Sequence, residues 1–214
     1  LAGDMVSGTI HDMAETNETT APDTALFWAE QLAGTIEALA DEFKKVHVPC
    51  VVGNHGRLTR KPRTKQRARD NWDWVIYQVL AKHFRDDARV TFDITDGTDV
   101  LVQIYETRFL LTHGDQTNGG SGIGGIWPPI MRMVARKRVR EHFDTVVMGH
   151  WHQLIMAPSQ GLIVNGALKG LDEYAAISNF APERPQQALW VTTPEHGVTF
   201  TAPVFVQDRA KEGW

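Results

Sequence analysis

The chain has 214 residues, 42% of them hydrophobic and 22% charged, as in a soluble globular protein with one sizeable core, and a single domain over 1–214 is expected. The formal net charge of −4 excludes a polycation drawn as a whole to nucleic acid, so any such affinity must come from a local patch. One cysteine, Cys50, excludes an internal disulfide and a multi-cysteine zinc site and points to a cytoplasmic setting. No apolar run approaches the ~20 residues of a membrane span, and no basic-then-apolar signal pattern opens the chain.

In chain order, Leu1 to Val6 read as the end of a strand running into a polar loop over 7–20. Asp23 is expected to cap a helix whose apolar period runs through Leu26, Trp28, Ala29, Leu32, Ala33, Ile36, Leu39, Ala40 and Phe43. The β-branched run Val46 to Val52 reads as a buried strand that stops at Gly53. A basic loop follows from Arg57 to Arg69. A helix over 70–84 comes next, with Trp74, Val75, Tyr77 and Leu80 facing the core. Val90 to Ile94 and Val100 to Tyr105 flank an Asp96-Gly97 turn and read as a hairpin. Phe109 to Thr112 is a further strand. The Gly- and Asn-rich stretch 117–125 is a loop closed by Trp127-Pro128-Pro129, and a basic helix covers 130–142. Strands then follow at 144–148, 154–156, 162–164, 188–192 and 198–205. Strand–helix alternation followed mainly by strands argues for a layered α/β domain.

Four short segments each follow an apolar run that reads as a strand: Gly3-Asp4, Gly53-Asn54-His55, Thr112-His113-Gly114-Asp115 and Gly149-His150-Trp151-His152. Side chains on such loops sit at strand ends, where open α/β sheets place their sites. Carboxylate, amide oxygen and imidazole together suit Mn, Fe, Zn or Ni, with no soft thiolate competing. Two such ions about 3.5–4 Å apart can clamp a phosphate and make a bridging water acidic, which supplies a nucleophile without serine or cysteine. Singly, each segment is a common turn or a core histidine; the argument lies in their joint appearance, in order.

This order of motifs resembles the calcineurin-like metallophosphoesterase superfamily, from residue 3 to about residue 168, where Val164-Asn165-Gly166-Ala167 is similar to the family's Asn-Pro-Gly-Ser-type turn. The resemblance implies a four-layer α/β sandwich, two mixed β-sheets packed face to face with helices outside. It implies two divalent ions, with manganese the first choice and Fe, Zn or Ni the others. Asp4 would bridge them, Asn54, His113 and His150 would complete the second, and His152 would bind the first. It implies that His55 contacts the phosphate and assists the leaving group while a metal-bridging hydroxide attacks. The sequence departs from the family in two places. An acidic residue usually follows Gly-Asn-His, and Gly56 stands there. The family's opening Asp-x-His motif has no counterpart upstream of Gly3. The chain is therefore expected to be an N-terminal truncation that lacks the first strand and that motif, to bind at most one metal tightly, and to be nearly inactive by itself. His11 and Asp12 are the first places to look for replacement ligands.

Seven basic side chains lie between Arg57 and Arg69, beginning two residues after His55. Arg57, Arg60, Lys61 and Arg63 are the expected substrate contacts. A second group, Arg132, Arg136, Lys137, Arg138 and Arg140, lies on the basic helix, and Trp127 could offer a stacking surface. Local positive charge favours a polyanion, so the expected substrate is a phosphodiester in DNA, RNA or a nucleotide, as in the DNA-repair nuclease branch and its phage and bacterial relatives. A small phosphomonoester, a cyclic nucleotide, or a non-catalytic binding scaffold are the alternatives.

Overall fold

A computed structural model describes residues 1–10, 14, 17–117, 125–170, 176 and 183–206. His11, Asp12 and most of the Gly- and Asn-rich stretch (118–124) lie outside the described residues. The chain divides into two compact units, Leu1–Val100 and Leu101–Trp214.

The first unit opens with a segment that belongs to no strand, contrary to the expectation for Leu1 to Val6. It still lies along the next strand, because the Leu1 carbonyl accepts from the Val51 N–H at 3.0 Å. Helix α1 (Ala21–Phe43) begins ahead of the expected cap. Its cap is Thr20, whose hydroxyl accepts from the Asp23 N–H at 3.3 Å; Asp23 itself sits in the first turn, where a carboxylate complements the helix dipole. Strand β1 (Val46–Cys50) pairs in parallel with β2 (Val90–Ile94), with Cys50 opposite Ile94. Helix α2 (Trp72–His83) lies between them in sequence and is capped by Asn71.

The core of this unit corrects the helix readings. The buried stripe of α1 is Ala21, Ala25, Ala29, Ala33, Ile36 and Ala40, while Leu26, Leu39 and Phe43 are exposed. The small residues at a four-residue repeat let α1 approach its neighbours closely, so the bulky apolar residues fall outside the contact. On α2, Ile76, Tyr77 and Leu80 are buried and Val75 is exposed. Neighbouring positions on a helix point in different directions, and the buried Asp73, Tyr77 and Leu80 fix which face is inward.

In the second unit β3 (Asp99–Ile104), β4 (Thr107–Thr112), β5 (Thr145–Met148), β6 (Ile155–Ala157) and β7 (Leu162–Val164) form a mixed sheet in the order β3-β4-β5-β7-β6. The hairpin expected at Asp96-Gly97 does not form: β2 pairs with β1, and β3 pairs with β4 across the Tyr105-Glu106 turn, where Tyr105 has φ 53°. Strands β4, β5 and β7 run parallel, with Thr112 opposite Met148 and Met148 opposite Val164. Helix α3 (Trp127–Arg138) begins at the Trp-Pro-Pro sequence expected to be loop, because proline without an N–H fits the first turn of a helix. Leu110, Ile130, Val134, Phe143, Val146, Met148, Leu162 and Val164 pack into one core here. Strands β8 (Gln186–Thr193) and β9 (Gly197–Phe205) make an antiparallel ribbon with an irregularity between Val191 and Thr192. The α/β class expected from the alternation is the class observed. Among the described residues no helix is long and apolar enough to cross a membrane.

Candidate functional site

In the first unit the Gly3-Asp4 turn and the Gly53-Asn54-His55 turn press together. A Cβ on Gly3 would lie 2.3 Å from the Gly53 nitrogen, and one on Gly53 would lie 2.0 Å from Asp4 Oδ1. Only glycine at both positions permits that approach. It sets the Asp4 carboxylate against the second turn, where Oδ1 accepts from the His55 N–H at 2.8 Å and Oδ2 lies 4.0 Å from His55 Nε2. Asp4 and His55 each keep 16% of their side-chain surface exposed, enough to meet a ligand. Asn54 is half-buried.

Two residues that the sequence reading missed build this arrangement. Asn71, the cap of α2, and Asp73, in its first turn, are buried and hydrogen-bonded to these turns. Asp73 accepts from the Asp4, Met5 and Gly53 N–H groups, and Asn71 Nδ2 donates to the Gly53 carbonyl at 2.8 Å. In sequence they look like an ordinary helix cap and first-turn acid. Nothing in one-dimensional spacing shows a carboxylate reaching back 69 residues to Asp4.

In the second unit the parallel strands bring three motif segments to one sheet edge. His113 follows β4, Gly149-His150-Trp151-His152 follows β5 and Asn165 follows β7. His113 is 2% exposed, and its carbonyl accepts from the Gly149 N–H at 3.0 Å, which ties the β4 and β5 loops together. The His113 and His150 rings meet edge to face with centroids 5.2 Å apart, and one ring nitrogen of each lies within 4.8 Å of the other's. Asn165 instead works for the fold: its amide donates to Gln187 Oε1 at 2.6 Å and its oxygen accepts from the Ala188 N–H at 2.7 Å, which anchors β8. Trp151 packs its ring edge to face on His150 and helps cover the core.

Backbone strain marks the same residues. Six non-glycine residues among those described have positive φ, and three are candidate ligands: Asp4 at 54°, His150 at 70° and His152 at 55°. Left-handed backbone costs a residue with a Cβ of order 1–3 kcal/mol and concentrates at functional sites. Each unit thus carries oxygen or imidazole donors on loops at strand ends, and donors of this kind suit a divalent transition metal.

The basic loop divides in two. Arg57 turns inward, donating to the carbonyls of Asn54 (2.8 Å), Thr59 (3.1 Å) and Arg60 (3.4 Å), and so shapes the loop. Arg63 pairs with Asp70 at 2.9 Å, and Arg69 with Asp96 at 3.2 Å. Arg60, Lys61 and Lys65 are exposed. A recess of about 10 Å³, roughly room for one water, lies under the loop between Asn54, Arg57, Thr59, Arg63 and Arg67. On α3, Arg136, Lys137 and Arg138 occupy the last turn, where cations complement the helix dipole. Lys137 also bonds Gln116 at 3.0 Å, and Arg138 lies over the Phe143 ring. Trp127 is the first residue of α3 and packs against the second core.

No protein-family model matches the chain, and no curated protein matches it. Solved structures do. The zinc complex of wild-type Vps29 from Entamoeba histolytica is 13% identical, with a TM-score of 0.40 over 76% of this chain and 83% of that one. A single mutant of the same Vps29 is 14% identical, with a TM-score of 0.38 over 62% of this chain and 76% of that one. Vacuolar Protein Sorting 29 from Cryptosporidium parvum is 16% identical, with a TM-score of 0.34 over 60% of this chain and 76% of that one.

Proposed function

We propose that this protein is a metal-dependent phosphoesterase of the calcineurin-like type, acting on a phosphodiester in DNA, RNA or a nucleotide. The observation that carries the reading is the left-handed backbone at Asp4, His150 and His152, the carboxylate and the two histidines of the motifs that resemble that family. Strain of this kind at three ligand-type residues, one in the Gly3-Asp4 turn and two on the loop after β5, is what a built site costs a fold. The proposed ligands are Asp4, Asn54, His113 and His150 for one ion and Asp4 with His152 for another, manganese being the first choice.

Divalent ions in such a site supply Lewis acidity, offsetting phosphate charge and making water more acidic. The chain's own residues do the rest. The backbone N–H of His55 holds Asp4 Oδ1, so the carboxylate is fixed before any ligand arrives. The His55 ring stands beside that carboxylate, where a protonated imidazole can pass its proton to a departing oxygen. The exposed cations Arg60 and Lys61 are placed to attract a polyanionic chain, while Arg57 keeps the loop in shape.

The test is metal content and turnover with Mn²⁺, using bis(p-nitrophenyl) phosphate beside p-nitrophenyl phosphate. Asp4→Asn and His150→Ala should each lose metal and turnover together. In an active parent protein, His55→Ala should keep its metal and lose kcat by roughly 10²-fold or more, the usual scale of general acid catalysis. Protein that takes up none of Mn, Fe, Zn or Ni would refute the reading. Bound metal with no turnover in the parent protein either would leave a binding scaffold, and turnover of the monoester alone would move the substrate to a small phosphomonoester.

A further inference from the structure

The wholly buried Asp73 is held by backbone donors from two turns. Oδ2 accepts from the N–H of Asp4 at 2.9 Å and from that of Gly53 at 2.8 Å, and Oδ1 accepts from the N–H of Met5 at 3.0 Å. One side chain in the first turn of α2 therefore binds both ligand-bearing turns of the first unit by their backbones. Asn71 reinforces it: its Nδ2 donates to the Gly53 carbonyl at 2.8 Å, and its Oδ1 accepts from the Asp73 N–H at 2.9 Å. The space that a side chain at position 56 would need is filled by the same pair. A Cβ on Gly56 would come within 2.4 Å of Asn71 Oδ1 and 3.0 Å of Asp73 Oδ1.

We infer that Asp73 is a positioning residue for the metal ligands: through backbone N–H groups it fixes the separation of Asp4 and Asn54, from the space that Gly56 leaves open. The inference rests on the reading that Asp4 and Asn54 bind metal. An ionised carboxylate is acceptor-only and can take three N–H donors at once. Hydrogen bonds to an ionised group are stronger than neutral ones, and the N-terminus of α2 favours the negative charge. An asparagine in its place turns an NH₂ toward at least one of these donors, and one turn comes loose. Ligands on loosened turns must be ordered when the ion binds, which weakens affinity.

The experiment compares Mn²⁺ affinity of the full chain and its Asp73→Asn variant by electron paramagnetic resonance titration. Supporting partners of metal ligands typically contribute about 10–100-fold in affinity, and a loss of that size is expected here. Leu80→Val serves as the control. It removes part of a fully buried side chain on the same helix, two turns away from Asp73, so it should lower Tm and leave Mn²⁺ affinity unchanged. Equal affinity in Asp73→Asn and the original chain would overturn the inference. So would a loss of affinity in both variants that simply follows the loss in Tm. If Asp73→Asn does not fold, titration of the unaltered protein with Zn²⁺ decides: the amide resonances of Asp4, Met5 and Gly53 should shift together as the ion binds. Bound Zn²⁺ with these three unmoved would refute the positioning role. An unaltered protein that binds neither ion would bring down the metal reading itself, a result distinct from all of these.

Discussion

Replacing Gly53 by alanine sets two effects of opposite sign against each other. Gly53 does not have positive φ, so alanine can adopt its backbone. On that ground alone the substitution should stabilise by about 0.4–1 kcal/mol, by restricting the unfolded chain. The added Cβ, however, would lie 2.4 Å from the backbone nitrogen of Asp4 and 2.0 Å from its Oδ1, about 1 Å or more inside normal contact. The first of these atoms is backbone, held by Asp73, so the Gly3-Asp4 turn must move as a body. Overpacking of this kind costs typically about 1–3 kcal/mol, and more where backbone must shift. Steric cost wins, and the net loss should be about 1–2 kcal/mol. For a chain of this size that lowers Tm by roughly 2–8 °C, since each kcal/mol is worth about 2–4 °C. Differential scanning calorimetry measures the shift, and a Mn²⁺ titration should show weakened affinity because the carboxylate moves with the turn. A Gly53→Ala protein with raised Tm and unchanged affinity would show that the two turns are not in contact, and the geometry argued for Asp4 would fall with it.

Tyr77→Phe leaves the buried Val51 carbonyl without its donor and should destabilise by about 1–3 kcal/mol in urea denaturation. The Cys50 thiol is fully buried, and burial pushes its pKa up to about 12, so native protein at pH 8 should not react with a disulfide reagent until it is unfolded. Hydrogen bonds from Arg89 lower the Asp87 carboxyl to about 2. A lowered folded pKa adds stability above the unfolded value near 4, lost as pH falls through about 2. Asp87→Asn should therefore change stability only slightly at neutral pH, as fits an exposed pair, and the difference should vanish in acid unfolding curves at the low end. If the basic loop contacts nucleic acid, single-stranded DNA binding should weaken steeply with salt, and neutralising Arg60, Lys61 and Arg63 together should flatten that dependence; affinity that ignores both would favour a small substrate.

The strand-end motifs are legible in the sequence because parallel strands with short polar exits leave a clear local signature. His113, His150 and Asn165 come to one sheet edge through β4, β5 and β7, and each strand is visible as an apolar run. The buried face of α1 is not legible. Leu26, Leu39 and Phe43 are the stronger hydrophobes, but close packing selects the alanines, and periodicity alone cannot tell a contact face from its flank. The Asp96-Gly97 signal fails for a related reason: β2 finds a parallel partner in β1, and a tertiary pairing overrides a local turn preference. Arg57 reads as a phosphate contact by its type and position, and its spacing does not show that the guanidinium also donates to the carbonyls of Asn54, Thr59 and Arg60.

The bonds that converge on Asp73 also bear on the order of events in folding. They join residues 69, 68 and 20 positions apart in the chain, so no local segment can form them early. Closing such loops costs entropy before any contact rewards it, which places these bonds among the last to form. The amide protons of Asp4, Met5 and Gly53 should therefore be acquired late in a pulse-labelling refolding experiment. Once formed, they should exchange with solvent only when α2 detaches, making three loop residues as slow as the centre of the core.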